Sequence, residues 1–174
     1  MFLIENAKIV GEEGLKNILV AGGKIEKIFE GSCNYPVDEI YDAAGKTIIP
    51  GLIDQHIHIT GGGGEGGFNT RVPELGLSKL IEAGITTVVG LLGTDSETRS
   101  VENLVAKSLA LTKEGIKTYS LTGSYAYPSP TITGSVKTDI VFIDQLIGVK
   151  IAANDHRDSC LDYKELQRLS LIHI

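Results

Sequence analysis

The sequence predicts an α/β protein in which a small β domain precedes a parallel-stranded barrel segment, and three observations carry that reading. Residues 2–42 break into short β-type runs between glycine-containing turns. After Gly45 the rhythm changes to strand, loop and helix, repeated four times, which argues for a parallel sheet. A composition of 42% hydrophobic and 22% charged residues over 174 positions is that of a globular chain with a sizeable core.

The N-terminal runs are residues 2–4, 7–10, 17–21 and 24–29, separated by turns at Gly11, Gly14, Gly22, Gly23 and Gly31. The spacing then predicts a first barrel strand over residues 48–58 and a helix that starts near Pro73, a residue favoured in the first turn, and ends at Gly84. A second strand spans 86–92. Apolar residues at Leu104, Val105, Leu109 and Leu111 give a second helix over 100–114, stopped by Gly115. Residues 117–123 read as the third strand, 135–148 as the third helix, 149–153 as the fourth strand, and a fourth helix begins near Asp162. Four such units are half of a (β/α)8 barrel, whose interior an isolated half leaves uncovered. The expected division is therefore a β domain over residues 1–46 and an incomplete barrel domain over 47–168. The last six residues, LSLIHI, also translate a transposon end used in sequencing libraries, so 169–174 are expected to be a non-native tail.

Charge and cysteine usage narrow the function. Net charge is -6 with no Lys/Arg block, which argues against nucleic-acid or anionic-membrane partners. The N-terminus MFLIENAKIV has no basic segment followed by a long apolar one, and no apolar run is long enough to span a bilayer. Cys33 and Cys160 are isolated, as in reduced thiols of a cytoplasmic protein.

The chemistry concentrates in LIDQHIHITGGGGEGGFNTRVPE. Side chains alternate along a strand, so His56 and His58 face one way and two imidazoles can share one metal. The pair stands at the C-terminal end of a predicted barrel strand, the end at which barrel enzymes carry their active sites. Six glycines around Glu65 follow, and the absence of a subsequent Gly-Lys-Ser/Thr argues against a phosphate loop.

The string GKTIIPGLIDQHIH resembles the amidohydrolase superfamily, whose first barrel strand ends in His-x-His and binds one or two divalent metals. Within it, GGGGEGGFNTRVPE, VVGLLGTDS, LTGSYAYPSPTITGS and GVKIAANDHR resemble isoaspartyl (β-aspartyl) dipeptidase, along nearly the whole chain to Arg168. That resemblance implies zinc-dependent hydrolysis of dipeptides linked through the aspartate side chain. It implies His56, His58 and Lys150 as metal ligands, with Lys150 carboxylated and bridging two Zn2+ together with a hydroxide. It implies substrate contacts from Gly63, Glu65, Thr94, Tyr125 and Arg157, with Glu65 on the α-amine, Arg157 on a carboxylate and the Tyr125 phenol near the developing oxyanion. The small dipeptide is then the partner, and the full-length protein is expected to form homo-oligomers. The later histidine ligands and the acid/base aspartate of the superfamily have no counterpart here, so the 174-residue chain by itself is expected to be inactive.

Taken singly, Glu65 fits a solvated loop acid, Arg157 a surface ion pair, and Tyr125 a rim aromatic. As one ordered set on successive strand ends they fit the family. Two alternatives stand beside it: another cyclic-amide amidohydrolase of the dihydropyrimidinase or dihydroorotase type, which the glycine loop with Glu65 separates, and a non-catalytic remnant of the barrel.

Overall fold

The computed structural model describes residues 1–155 and 161–170. The chain divides into two compact units, Met1–Pro50 and Gly51–Ile174, with the division four residues beyond the boundary the sequence suggests.

In the first unit, β1 (Phe2–Ile9) lies centrally, antiparallel to β2 (Lys16–Ala21) and parallel to β4 (Glu39–Asp42) and β5 (Thr47–Ile48). The two runs expected at 2–4 and 7–10 are one strand whose register shifts between Ile4 and Ala7. Asn6 sits at that shift with φ of 53°, and its backbone N–H donates to the Asn17 side chain at 3.1 Å. β2 turns into β3 (Lys24–Phe29) through Gly22 and Gly23, both at positive φ (56° and 75°), the two-glycine turn whose twist matches a hairpin. Leu3, Ala7, Ile18, Leu19 and Ala43 are buried. β4 is a strand the sequence reading did not resolve. All four of its residues are exposed, so it lacks the buried apolar run that marks a strand.

In the second unit, β6 (Leu52–Ile57), β7 (Ile85–Gly90), β8 (Lys117–Gly123) and β9 (Leu146–Lys150) form a parallel sheet in that order. The single strand expected over 48–58 is broken. Thr47 and Ile48 pair with β1, and a new strand starts at Leu52, because Pro50 has no N–H to give a ladder. The connecting helices are α1 (Leu77–Glu82), α2 (Val101–Lys113) and α3 (Val136–Phe142), and α4 (Tyr163–Ser170) follows β9. α1 starts four residues after Pro73, not at it. Its C-terminal stop is Gly84 at φ of 69°, a left-handed conformation that glycine adopts without strain.

α2 fits its expected span. The Ser100 side chain accepts from the Asn103 N–H at 3.2 Å and caps it, and Gly115 at φ of 101° follows its end. α3 is capped in the same way by Ser135, which accepts from the Thr138 N–H at 3.1 Å. It ends at Phe142, well short of Gly148, and β9 starts at Leu146. The apolar run Ile143, Leu146, Ile147 thus crosses a helix-to-strand junction that helical periodicity cannot see. α4 begins where Asp162 predicts. Asp162 accepts from the Glu165 N–H at 2.8 Å and Glu165 accepts from the Asp162 N–H at 2.9 Å, a reciprocal capping box. The core packs Leu80, Leu104 and Leu111 from the helices against Val88 and Leu146 from the strands, all nearly inaccessible. No described helix is long and apolar enough to cross a membrane.

A buried carboxylate holds the long loop after β8. Asp139 on α3 is fully inaccessible and accepts from the Thr133 N–H at 2.8 Å, the Ile132 N–H at 3.1 Å, the Thr133 hydroxyl at 2.7 Å and the Thr122 hydroxyl. Burial pushes its carboxyl pKa up, but the hydrogen bonds to the ionised form outweigh burial and hold it below the ordinary aspartate value. A group whose folded pKa is depressed stabilises above its unfolded pKa and loses that contribution as pH falls through the folded one. Asp139→Asn is therefore expected to cost on the order of 2–4 kcal/mol in urea unfolding at neutral pH, with the difference from wild type shrinking below about pH 4. A constant difference across the acid range would contradict this account.

Candidate active site

The two histidines sit at the end of β6, His56 within the strand and His58 one residue beyond it. Their ring centroids are 5.6 Å apart and the rings are perpendicular. Nδ1 of His58 lies 3.0 Å from the carbonyl oxygen of Leu91, just after β7. A carbonyl only accepts, so Nδ1 carries a proton, and Nε2 is the ring nitrogen left outside this bond. Such a bond from the second ring nitrogen is the usual way a ligating imidazole is oriented. Gly93 makes room for this ring: a Cβ there would stand 2.8 Å from His58 Cε1 and 3.3 Å from Nε2.

Lys150 closes β9, half-buried, with its Nζ 4.9 Å from the ring centroid of Tyr125. Burial lowers its pKa, against the opposing pull of Asp155. His56 is likewise held below the ordinary imidazole value, by desolvation first and then by the charges of Lys150 and His58, with Asp54 opposing. Strand ends β6, β8 and β9 thus bring His56, His58, Tyr125 and Lys150 into one neighbourhood.

The glycine loop forms the second part. Residues 61–72 fold back on themselves through a bridge between Gly63 and Arg71 and a hydrogen bond from the Val72 N–H to the Gly62 carbonyl at 2.8 Å. Gly63 has φ of 72°, and a Cβ on it would lie 2.6 Å from the Thr70 carbonyl oxygen, so only glycine fits. The Thr94 hydroxyl, in the loop after β7, donates to Glu65 Oε1 at 3.0 Å. Gly63, Glu65 and Thr94 line one cavity of 370 Å³ together with Phe68, Asp95 and Thr98. Gly63 also borders a neighbouring cavity of 400 Å³ with His58, Gly61 and Gly62. Gly63 is therefore the residue shared between the histidine side and the glutamate side. Tyr125 does not line the glutamate cavity, and Arg157 lies outside the described residues.

The donor set fits a metal in chemistry, with two imidazoles and a lysine whose ammonium burial disfavours, but it is sparse. Among the described residues no three His, Cys, Asp or Glu side chains converge as a metal-holding group. Lysine becomes a ligand only as an anion such as a carbamate, which forms from the neutral amine.

The sequence reading missed a charged cluster beside this cavity. The Asp95 side chain, 8% exposed, accepts from Arg71 Nε at 2.7 Å and is also bonded to Arg99 and to the Thr98 hydroxyl. GTDSETRS carried the signal, in that Asp95 and Arg99 are four residues apart, but the turn that joins them to Arg71 is not visible in one sequence.

No family model matches the chain. A crystal structure of beta-aspartyl dipeptidase from the thermophilic, keratin-degrading Fervidobacterium islandicum AW-1, in complex with the beta-Asp-Leu dipeptide, superposes with a TM-score of 0.91 at 48% identity, over 98% of this chain and 46% of that one. A second structure of beta-aspartyl dipeptidase from that organism gives 0.91 at 49% identity, over 98% and 48%. Among curated proteins, the dihydroorotase of Listeria welshimeri serovar 6b is 29% identical over 168 residues, 87% of this chain and 37% of its own. The chain thus spans less than half the length of the relatives it matches. The resemblance to β-aspartyl dipeptidase drawn from the motifs is shown along nearly all of it, and so is the α/β architecture, a β unit followed by the first βα units of an amidohydrolase-type barrel.

The Gly93 contact gives a direct test of the imidazole arrangement. Gly93→Ala is expected to displace the His58 ring from Leu91, seen as a change in the ring 15N resonances of His58 by NMR. Unchanged resonances would show that the ring is not held by this contact.

Proposed function

We propose that this chain carries the substrate-binding half of a zinc-dependent hydrolase that cleaves the isopeptide bond of β-aspartyl dipeptides. The observation that supports this reading most is the cavity shared by Gly63, Glu65 and Thr94. A β-aspartyl dipeptide has a free α-ammonium and free carboxylates, and Glu65 supplies the anion an ammonium needs, with one of its oxygens oriented by the Thr94 hydroxyl. Gly63 offers backbone contact where any side chain would collide. The similarity to a beta-aspartyl dipeptidase crystallised with a beta-Asp-Leu dipeptide supports the same substrate class.

His56, His58 and a carboxylated Lys150 would hold two Zn2+ ions. Bound there, zinc supplies a water ionised near neutral pH and a Lewis acid for the scissile carbonyl. The chain's own residues do the rest. His58 is oriented by the bond from its Nδ1 to the Leu91 carbonyl, which leaves Nε2 as the nitrogen that would meet a metal. Burial keeps the Lys150 amine biased towards the neutral form that takes up carbon dioxide. Tyr125, beside Lys150, offers a phenol to the oxygen on which charge develops, and Arg157 offers a guanidinium to a substrate carboxylate. We infer that His56, His58 and Lys150 are by themselves too few donors to hold two zinc ions tightly, so the 174-residue chain alone binds zinc weakly and shows no turnover.

The similarity to a dihydroorotase supports a second reading, a cyclic-amide hydrolase. Glu65 separates the two, because a cyclic amide such as dihydroorotate brings no ammonium. Protein expressed from the complete reading frame and loaded with zinc is expected to hydrolyse β-Asp-Leu and to leave α-Asp-Leu and dihydroorotate uncut. Glu65→Gln is expected to raise KM for β-Asp-Leu by about 30- to 150-fold, the loss of a charge-assisted hydrogen bond of about 2–3 kcal/mol. Faster turnover of dihydroorotate than of β-Asp-Leu would replace the first reading with the second.

A further inference from the structure

We propose that Arg99, Asp95 and Arg71 form a staple that sets the position of the glycine loop, and that through it they control how strongly Glu65 selects an α-ammonium on the substrate. The inference rests on the reading of Glu65 as the ammonium acceptor. It concerns residues that touch no part of the proposed metal group.

Arg99 is the centre of the staple. Its side chain is 9% exposed and its nitrogens are committed in three directions. Nε donates to the Thr60 carbonyl at 2.8 Å, Nη2 donates to the Val72 carbonyl at 2.9 Å, and Nη1 is paired with Asp95. Thr60 and Val72 are the two ends of the glycine loop, so one guanidinium ties its entry to its exit. Gly61 shows how close that approach is. It has φ of 86°, and a Cβ there would meet Val72 O at 2.2 Å and Arg99 Nη2 at 2.8 Å. The loop glycine is absent of a side chain where the arginine crosses.

Asp95 converts the staple into a link between two loops. Its carboxylate receives Arg99 from its own loop and Arg71 from the base of the glycine loop, while Thr98 occupies its second oxygen. The adjacent residue is Thr94, whose hydroxyl holds Glu65. Two cross-links therefore leave neighbouring residues of the loop after β7 and reach the glycine loop on either side of its tip, Thr94 to Glu65 and Asp95 to Arg71. Six glycines give the loop a large conformational freedom to lose. Side-chain bonds to fixed backbone carbonyls are what restrict it. An ammonium bound in a charge-assisted geometry tolerates little displacement of its carboxylate, so the energy of the staple is read out as substrate selectivity. Arg71, Asp95 and Arg99 are thus positioning residues.

The test compares β-Asp-Leu with succinyl-leucine, the same amide without the α-amine, on zinc-loaded protein from the complete reading frame. Asp95→Asn and Arg71→Met are expected to lower the ratio of kcat/KM for the two substrates by about tenfold or more, through KM for β-Asp-Leu and with kcat changed less than about threefold; Arg71→Lys restores part of it. A fall in kcat with the ratio unchanged would mean a purely structural role and would overturn the proposal. Hydrogen exchange supplies a readout independent of activity. The Gly67 and Val72 amides, bonded to Gly64 and Gly62 within the loop, are expected to exchange at least about tenfold faster in Asp95→Asn, and equal exchange overturns the staple whatever the substrate. Wild-type protein with no preference for β-Asp-Leu over succinyl-leucine would instead refute the ammonium reading of Glu65 and leave the exchange result to judge the staple.

Discussion

Parallel pairing of β6, β7, β8 and β9 is the constraint on which the site depends. Strands that run in one direction bring their C-terminal ends to one rim, and the chain spends its length there. The returns from helix to strand occupy only residues 83–84, 114–116 and 143–145, whereas the connections from strand to helix run over 58–76, 91–100 and 124–135. Short returns leave little besides a turn. Long connections on the rim have room for the histidine pair, the glycine loop, the GTDS turn and the Tyr125 segment. The chemistry gathers on that side because the topology leaves nowhere else for a long loop to be bounded by fixed strands.

Long loops carry an entropic cost, and the same device offsets it twice. A charged side chain at or near the start of the following helix reaches back and bonds the loop's backbone. Arg99, immediately before the cap of α2, holds the carbonyls of Thr60 and Val72. Asp139, on α3, holds the N–H groups of Ile132 and Thr133. The two are complementary, a guanidinium collecting carbonyls and a carboxylate collecting amides. In each case the charge is nearly inaccessible, so the bonds act in a medium where an unmet partner would be expensive. The loops are thereby tied to elements that the core already fixes.

Much of this was legible in the residues. Ser100, Gly115 and Asp162 give helix limits because capping and positive φ are local chemistry, and residues 117–123 match β8 to the residue. His56, His58, Gly63, Glu65, Thr94, Tyr125 and Lys150 could be singled out because their motifs are contiguous. What stayed hidden is non-local. The exposed β4 has no apolar signature, and the division of residues 47–57 into two strands depends on Thr47 and Ile48 finding β1 as a partner. The junction between α3 and β9 lies inside one apolar run. The Arg71 to Asp95 bond joins residues 24 positions apart, and nothing in either flanking sequence announces it.

The electrostatics of the histidine side has its own logic. Burial is the first cause that lowers the pKa of both His56 and Lys150, and for His56 the charges of Lys150 and His58 act in the same direction. Each group is pushed towards its neutral form, the form that carries a lone pair. His56 and Lys150, gathered at one rim, would repel each other as cations, and the shift of both towards the neutral form lessens that repulsion. Asp54 and Asp155 act in the opposite sense on His56 and Lys150 respectively, yet neither reverses the direction. A rim poised in this way has a deficit of negative charge that an anion on Lys150 would fill, and an anionic Lys150 would in turn attract cations to the imidazoles. Glu65 lies across Gly63 from His58, bonded to Thr94 in the loop after β7. The glycine loop thus keeps the glutamate side apart from the histidine side: it carries Glu65 out to Thr94, and among the described residues Gly63 is the one that borders both cavities.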